Sequence, residues 1–79
     1  MSDRIRVIQY GLGPIGSAIA RHVVERAGLE LVGAVDIDPA KVGKDVGEVI
    51  GLDRPLGFVV ANRLEQALAR MDADLVLQL

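Results

Sequence analysis

An α/β fold, with a parallel sheet wound by helices on both faces, is predicted by three features of this 79-residue sequence. A β-branched, apolar run from Arg4 to Tyr10 leads straight into a glycine-rich turn, Gly11-Leu12-Gly13-Pro14-Ile15-Gly16. A helical repeat of apolar residues follows that turn. A second, mostly apolar run then ends on an acidic residue, Asp36, which stands 20 positions after Gly16. Strand, helix and strand in such close succession make a βαβ unit, whose crossover is right-handed in nearly all cases.

Each element has its own justification. The first strand alternates at its start and becomes mostly apolar, as a strand entering a buried parallel sheet does. Pro14 stands where the helix begins, a place that tolerates the missing N–H. From there Ile15, Ala18, Ile19, Val23 and Ala27 recur at helical spacing and predict a buried face, with the helix ending near Gly28. Leu29 to Val35 reads as the second strand, with Gly33 marking close approach of another backbone or helix.

Pro39 to Val42 and Asp45 to Ile50 predict short helical turns, with Gly43 and Gly47 weakening any continuous helix. Gly57 to Ala61 predicts a third strand. Asn62 and Glu65 form a capping-box-like pair ahead of a helix to about Met71, with Leu64, Ala67, Leu68 and Met71 as its apolar face. Leu75 to Leu79 predicts a fourth strand. The expected architecture is a partial Rossmann-type doubly wound sheet over residues 1–79, β-α-β-α-β-α-β with about four strands. A hydrophobic content of 51% is high for so small a unit, and the sequence closes on a strand pattern. The expectation is an N-terminal fragment, with a substrate domain beyond Leu79.

Composition narrows the function classes. Nine basic and eleven acidic residues give a net charge of −2 with no basic run, which argues against nucleic acid and anionic membranes as partners. The only aromatics are Tyr10 and Phe58, too few for a base-stacking surface. With no cysteine, disulfides, thiolate metal sites and cysteine nucleophiles are excluded, and a cytoplasmic location is expected. No signal-peptide pattern or apolar run of membrane-spanning length is present.

The glycine turn carries the chemistry. A pyrophosphate must be approached closely by backbone N–H groups, and a helix N-terminus presents unpaired ones at the positive end of its dipole. Gly11 permits the tight turn, Gly13 lets the backbone near the phosphates, and Gly16 lets the helix pack against the sheet. No Asp or Glu occurs from Arg4 through Val24 to repel an anion. Asp36 is placed to accept hydrogen bonds from the adenine ribose hydroxyls of NAD, and it would repel a 2′-phosphate. Ile37 stands beside it in place of an arginine that would support NADP.

The candidate cofactor-binding set is therefore Gly11, Leu12, Gly13, Pro14, Ile15, Gly16, Asp36 and Ile37, for NAD or NADP with NAD preferred. Lys41 and Lys44 follow closely; they read as solvated charges that could also reach a 2′-phosphate. Ser17 reads as a tolerated small residue, Asp38 as a cap and His22 as structural. Asp72 and Asp74 also read as structural, and no spacing suggests a metal. No catalytic residue is assigned.

The segments Val7 to Gly16 and Leu29 to Glu48 together resemble the N-terminal domain of dihydrodipicolinate-reductase-like proteins. Among these, the 2,4-diaminopentanoate dehydrogenases and related NAD(P)-dependent amine dehydrogenases are the nearest branch. Gly43-Lys44-Asp45-Val46-Gly47-Glu48 is the more specific part of the likeness. The resemblance implies an oxidoreductase moving hydride to or from a C=N or amine-bearing small-molecule substrate. It also implies an α+β second domain that supplies the substrate site and the contacts of a homo-oligomer. A different reading is a nucleotide-sensing regulatory module of the potassium-transport type, which combines a glycine loop with a strand-end acid and no catalysis.

Overall fold

The computed structural model describes residues 4–79, so residues 1–3 of the predicted 1–79 domain lie outside the described residues. In chain order it contains β1 (Ile5–Tyr10), α1 (Pro14–Glu25), β2 (Leu29–Val35), α2 (Val46–Val49), α3 (Leu64–Arg70) and β3 (Leu75–Gln78). The strands form one parallel sheet in the order β2-β1-β3. This is the Rossmann-type arrangement expected.

Side chains alternate across the sheet, so β1 and β2 each feed two cores. Val7 and Leu31 pack with Ala20 and Val23 of α1 and with Val46 and Ile50 around α2. Ile8, Val32 and Val35 pack on the other face with Ala67 of α3. The β1–β2 register slips between Val7 and Ile8: Val7 pairs with Leu31 and Ile8 with Gly33, which leaves Val32 as the extra residue. Gly33 is indeed a point of close approach, since a Cβ there would lie 3.3 Å from the Ala67 Cβ and 3.2 Å from Ile8. The start of β3 is tied to β1 by Arg6 and Asp74, whose side chains form an ion pair with N–H···O distances of 3.3 Å. That pairing holds the Asp74 carboxyl below its ordinary range, chiefly through the Arg6 side-chain bond.

Three expectations need correction. Residues 57–61 form no strand; they make isolated bridges, Ala61 to Val35 in parallel and Val59 to Asp45 in antiparallel. Their backbone divides between two partners: Ala61 pairs with Ala34 and Asp36, whereas Phe58 and Val60 pair with the 43–46 loop. The sheet therefore has three strands among the described residues, with Ala61 marking where a neighbour would flank β2.

The buried face of α1 is Gly16, Ser17, Ala20 and Val23, while Ile15 is 65% exposed and Ala27 is exposed. Small residues face the sheet because Gly16 must approach the turn closely. The helix also ends at Glu25, and Arg26 turns extended to start the connection to β2. The third correction concerns α3. Arg63 is its N-cap without a side-chain bond, and the Asn62 N–H donates to the Gln66 Oε1 at 3.2 Å, so Glu65 is not the capping partner. Of the predicted face, Ala67 alone is fully buried, and Leu68 and Met71 are exposed.

Candidate functional site

The chain leaves β1 at the carboxyl end of the sheet and turns sharply. Gly11 has φ +104°, a conformation that side chains disfavour, and its N–H donates to the Val35 carbonyl at 2.8 Å. A Cβ on Gly11 would also lie 2.8 Å from the Leu79 carbonyl oxygen. At the far side of the turn, a Cβ on Gly16 would fall 2.1 Å from the Gly11 carbonyl oxygen. The first and last glycines thus exist for each other: helix and turn touch backbone to backbone. Gly13 differs, because a Cβ there would meet nothing within 4 Å. It faces open space at the N-cap of α1.

Helix pairing begins with the Ser17 N–H, which donates to the Gly13 carbonyl at 2.8 Å. The N–H groups of Ile15 and Gly16 precede it, without partners inside the helix, and Pro14 contributes none. Pro14 and Ile15 are exposed. The helix dipole favours an anion there by about 0.3–1 kcal/mol. No acidic residue stands in the first turn of α1.

Leu12 joins this shelf to the end of β2. Its side chain is buried in the core, and its N–H donates to Asp36 Oδ2 at 2.8 Å. The Asp38 N–H donates to Asp36 Oδ1 at 2.9 Å. Burial disfavours the charge on Asp36, but these bonds and the nearby Lys41 ammonium outweigh it and hold the carboxyl below its ordinary range. Asp36 is therefore an anion at neutral pH, with lone pairs left to accept from hydroxyls. Ile37 beside it is 81% exposed, an apolar surface at the strand end.

Sequence reasoning undervalued three residues. Ser17 is not merely tolerated: it is buried, and its Oγ donates to the Leu12 carbonyl at 3.0 Å. The Lys41 Nζ donates to that same carbonyl at 2.8 Å, so this lysine belongs to the loop rather than to solvent. Gln9 is wholly buried; its Nε2 donates to the Gly11 carbonyl at 3.2 Å, and its Oε1 accepts no hydrogen bond from the described residues. A polar residue inside a buried strand just ahead of the turn was the available signal. Asp38 acts as expected, accepting from the Ala40 N–H at 2.9 Å, and His22 is exposed on α1.

Asp45 organises the neighbouring loop. It accepts N–H bonds from Gly47 at 2.8 Å and from Leu56 and Gly57 at 2.9 Å. The Leu56 bond is the largest influence holding its carboxyl below the ordinary range, over an opposing effect of burial. A Cβ on Gly47 would lie 2.3 Å from the Arg54 carbonyl oxygen. The Gly-Lys-Asp-x-Gly-Glu segment is thus a packed corner.

Comparison with known proteins gives this geometry a context. Residues 5–79 match the family described as dihydrodipicolinate reductase, N-terminus. The chain belongs to that family. A 4-hydroxy-tetrahydrodipicolinate reductase from Mastigocladus laminosus is 36% identical over 72 residues, 91% of this chain and 26% of the relative. An amine dehydrogenase structure from Mycobacterium smegmatis superposes with a TM-score of 0.83 at 35% identity, covering 91% of this chain and 21% of that one. A redox-sensing transcriptional repressor, Rex, from Chloroflexus aggregans is 44% identical over 45 residues, 56% of this chain and 21% of the relative. The chain spans about a quarter of the length of the reductase it matches.

Other surfaces offer less. A concavity of about 670 Å³ lined by Ile5 and residues 26–29 lies at the opposite end of β1, away from the turn. Among the described residues no group of His, Cys, Asp and Glu could hold a metal, and no helix is long and apolar enough to cross a membrane.

Proposed function

We propose that this domain holds NAD(P), with the pyrophosphate over Gly13 to Gly16 and the adenine ribose on Asp36. Its role is then the cofactor half of an oxidoreductase that moves hydride to or from a C=N or amine-bearing substrate. The observation that carries this reading is the junction at Leu12. One peptide N–H ties the phosphate shelf to an ionised, strand-end carboxylate, while Gly13 leaves the shelf open. Asp36 favours NAD, because it accepts from a 2′-hydroxyl and repels a 2′-phosphate. The likeness to a reductase and to an amine dehydrogenase supports the hydride-transfer chemistry. The chain matches about a quarter of its reductase relative, so residues acting on substrate and the contacts of a homo-oligomer are sought in the counterpart of the remainder.

Calorimetric titration with NADH and NADPH tests the cofactor assignment. Saturable one-site binding is expected, tighter for NADH; the absence of heat with both cofactors overturns it. A second reading, a nucleotide-sensing module without catalysis, draws on the likeness to Rex. It is distinguished by assaying hydride exchange from NADH to an imine-bearing substrate in the longest form of the protein.

A further inference from the structure

Lys41 comes from the turn after β2, where its own N–H donates to the Asp38 carbonyl at 2.9 Å. Its side chain returns to the glycine turn and rests on the Leu12 carbonyl. That carbonyl already accepts from the Ser17 Oγ at 3.0 Å. The lysine bond is therefore redundant for the loop: if the ammonium leaves, the Leu12 carbonyl keeps its Ser17 donor, and the loss is that of one hydrogen bond and of some attraction to Asp36. Asp36 is in the opposite position, because both of its oxygens hold backbone N–H groups, from Leu12 and from Asp38. Moving Asp36 would unpair the turn. The ribose end of the site thus combines a fixed anion with a releasable cation.

From this arrangement we infer that Lys41 is the specificity-determining residue of the site: it swings from the Leu12 carbonyl to a 2′-phosphate and so admits NADP(H) beside Asp36. The inference rests on the cofactor reading above. A 2′-phosphate brings up to two negative charges next to a fixed carboxylate, so an unaided site rejects it. An ammonium with three donors, only one of them used on Leu12, supplies the compensating charge at little structural cost. Binding of NAD(H) leaves Lys41 where it is.

The test is parallel titration of the full chain and of Lys41→Gln, Lys41→Arg and Lys44→Gln with NADH and with NADPH, using circular dichroism to confirm folding. Lys41→Gln is expected to weaken NADPH at least tenfold and NADH less than threefold. Lys41→Arg keeps the charge and is expected to retain most NADPH affinity, and Lys44→Gln is expected to change neither. Equal loss of both cofactors in Lys41→Gln overturns the inference, because it makes Lys41 a brace for the loop only. Matching NADPH loss in Lys44→Gln also overturns it. So does a wild-type chain that binds NADH but not NADPH, although the cofactor reading survives that outcome. Failure of the wild-type chain to bind either cofactor instead overturns the cofactor reading itself.

Discussion

Asp36 and Asp45 do similar local chemistry in two adjacent loops. Each accepts backbone N–H groups through its carboxylate oxygens, and each is held below the ordinary carboxyl range. They differ in what surrounds the charge. Asp45 takes three N–H groups from residues 47, 56 and 57, and it closes a corner whose glycine cannot carry a side chain. Asp36 takes two, keeps accepting capacity, and stands between an exposed Ile37 and an open Gly13. The segment 43–48 is thus an internal brace. The common glycine pattern, shared by many nucleotide-binding proteins, frames the site.

The largest effect is expected in the turn itself. Gly16→Ala puts a methyl 2.1 Å from the Gly11 carbonyl oxygen, and neither backbone can retreat without breaking the turn. A loss of about 3 kcal/mol in urea unfolding is expected from such overpacking, and an unchanged midpoint would show that helix and turn do not touch as described. Next come the two aspartates, as opposed outcomes. Asp45→Ala is expected to lower the thermal midpoint while leaving the ratio of NADH to NADPH affinity in the folded fraction unchanged. Asp36→Ala is expected to shift that ratio, weakening NADH about tenfold relative to NADPH, which is ~1.4 kcal/mol. Exchange of these two phenotypes would reverse the assignment of brace and ligand group.

A smaller effect is expected from acid. Asp36, Asp45 and Asp74 all have folded-state values lowered from the ordinary one. The unfolded chain therefore binds protons more readily than the folded one as pH falls through the ordinary carboxyl range, near 3.9. Their contribution to stability is complete above that range and is lost as pH falls through the lowered folded values. Thermal midpoints are expected to be flat from about pH 7 to 5 and to decline below about 4. The decline should be shallower in Asp45→Asn. A midpoint that already falls between pH 7 and 5 would contradict this attribution.

What could be read in the sequence divides along physical lines. β2 was legible to the residue and β1 to within one, because each is a short, mostly apolar run that abuts a glycine, Gly11 after β1 and Gly28 before β2. The tight turn at Gly11, the close approach at Gly16 and the strand-end place of Asp36 were legible because the constraint on each is local or at fixed spacing. Residues 57–61 were not: their composition suits a strand, but two competing backbone partners divide their hydrogen bonds, and composition does not record that choice. Of the expected α1 face, Val23 is buried but Ile15 and Ala27 are exposed, since hydrophobicity favours Ile15 whereas contact with the Gly11 carbonyl requires Gly16 to face inward. Lys41 reads as a surface charge in the sequence because its acceptor on Leu12 lies 29 residues away.

In the proposed cofactor site, the shelf above Gly13 is ligand space rather than packing space. Replacing Gly13 by leucine separates the two, since a Cβ there meets nothing within 4 Å of the protein. NADH titration of Gly13→Leu beside the unaltered chain, with the thermal midpoint measured on both, is the direct measurement. The prediction is a folded variant whose thermal midpoint reflects a stability loss of no more than about 1 kcal/mol, the cost of a less favoured N-cap residue, together with loss of NADH binding. Unchanged NADH affinity in the folded variant would contradict the pyrophosphate assignment.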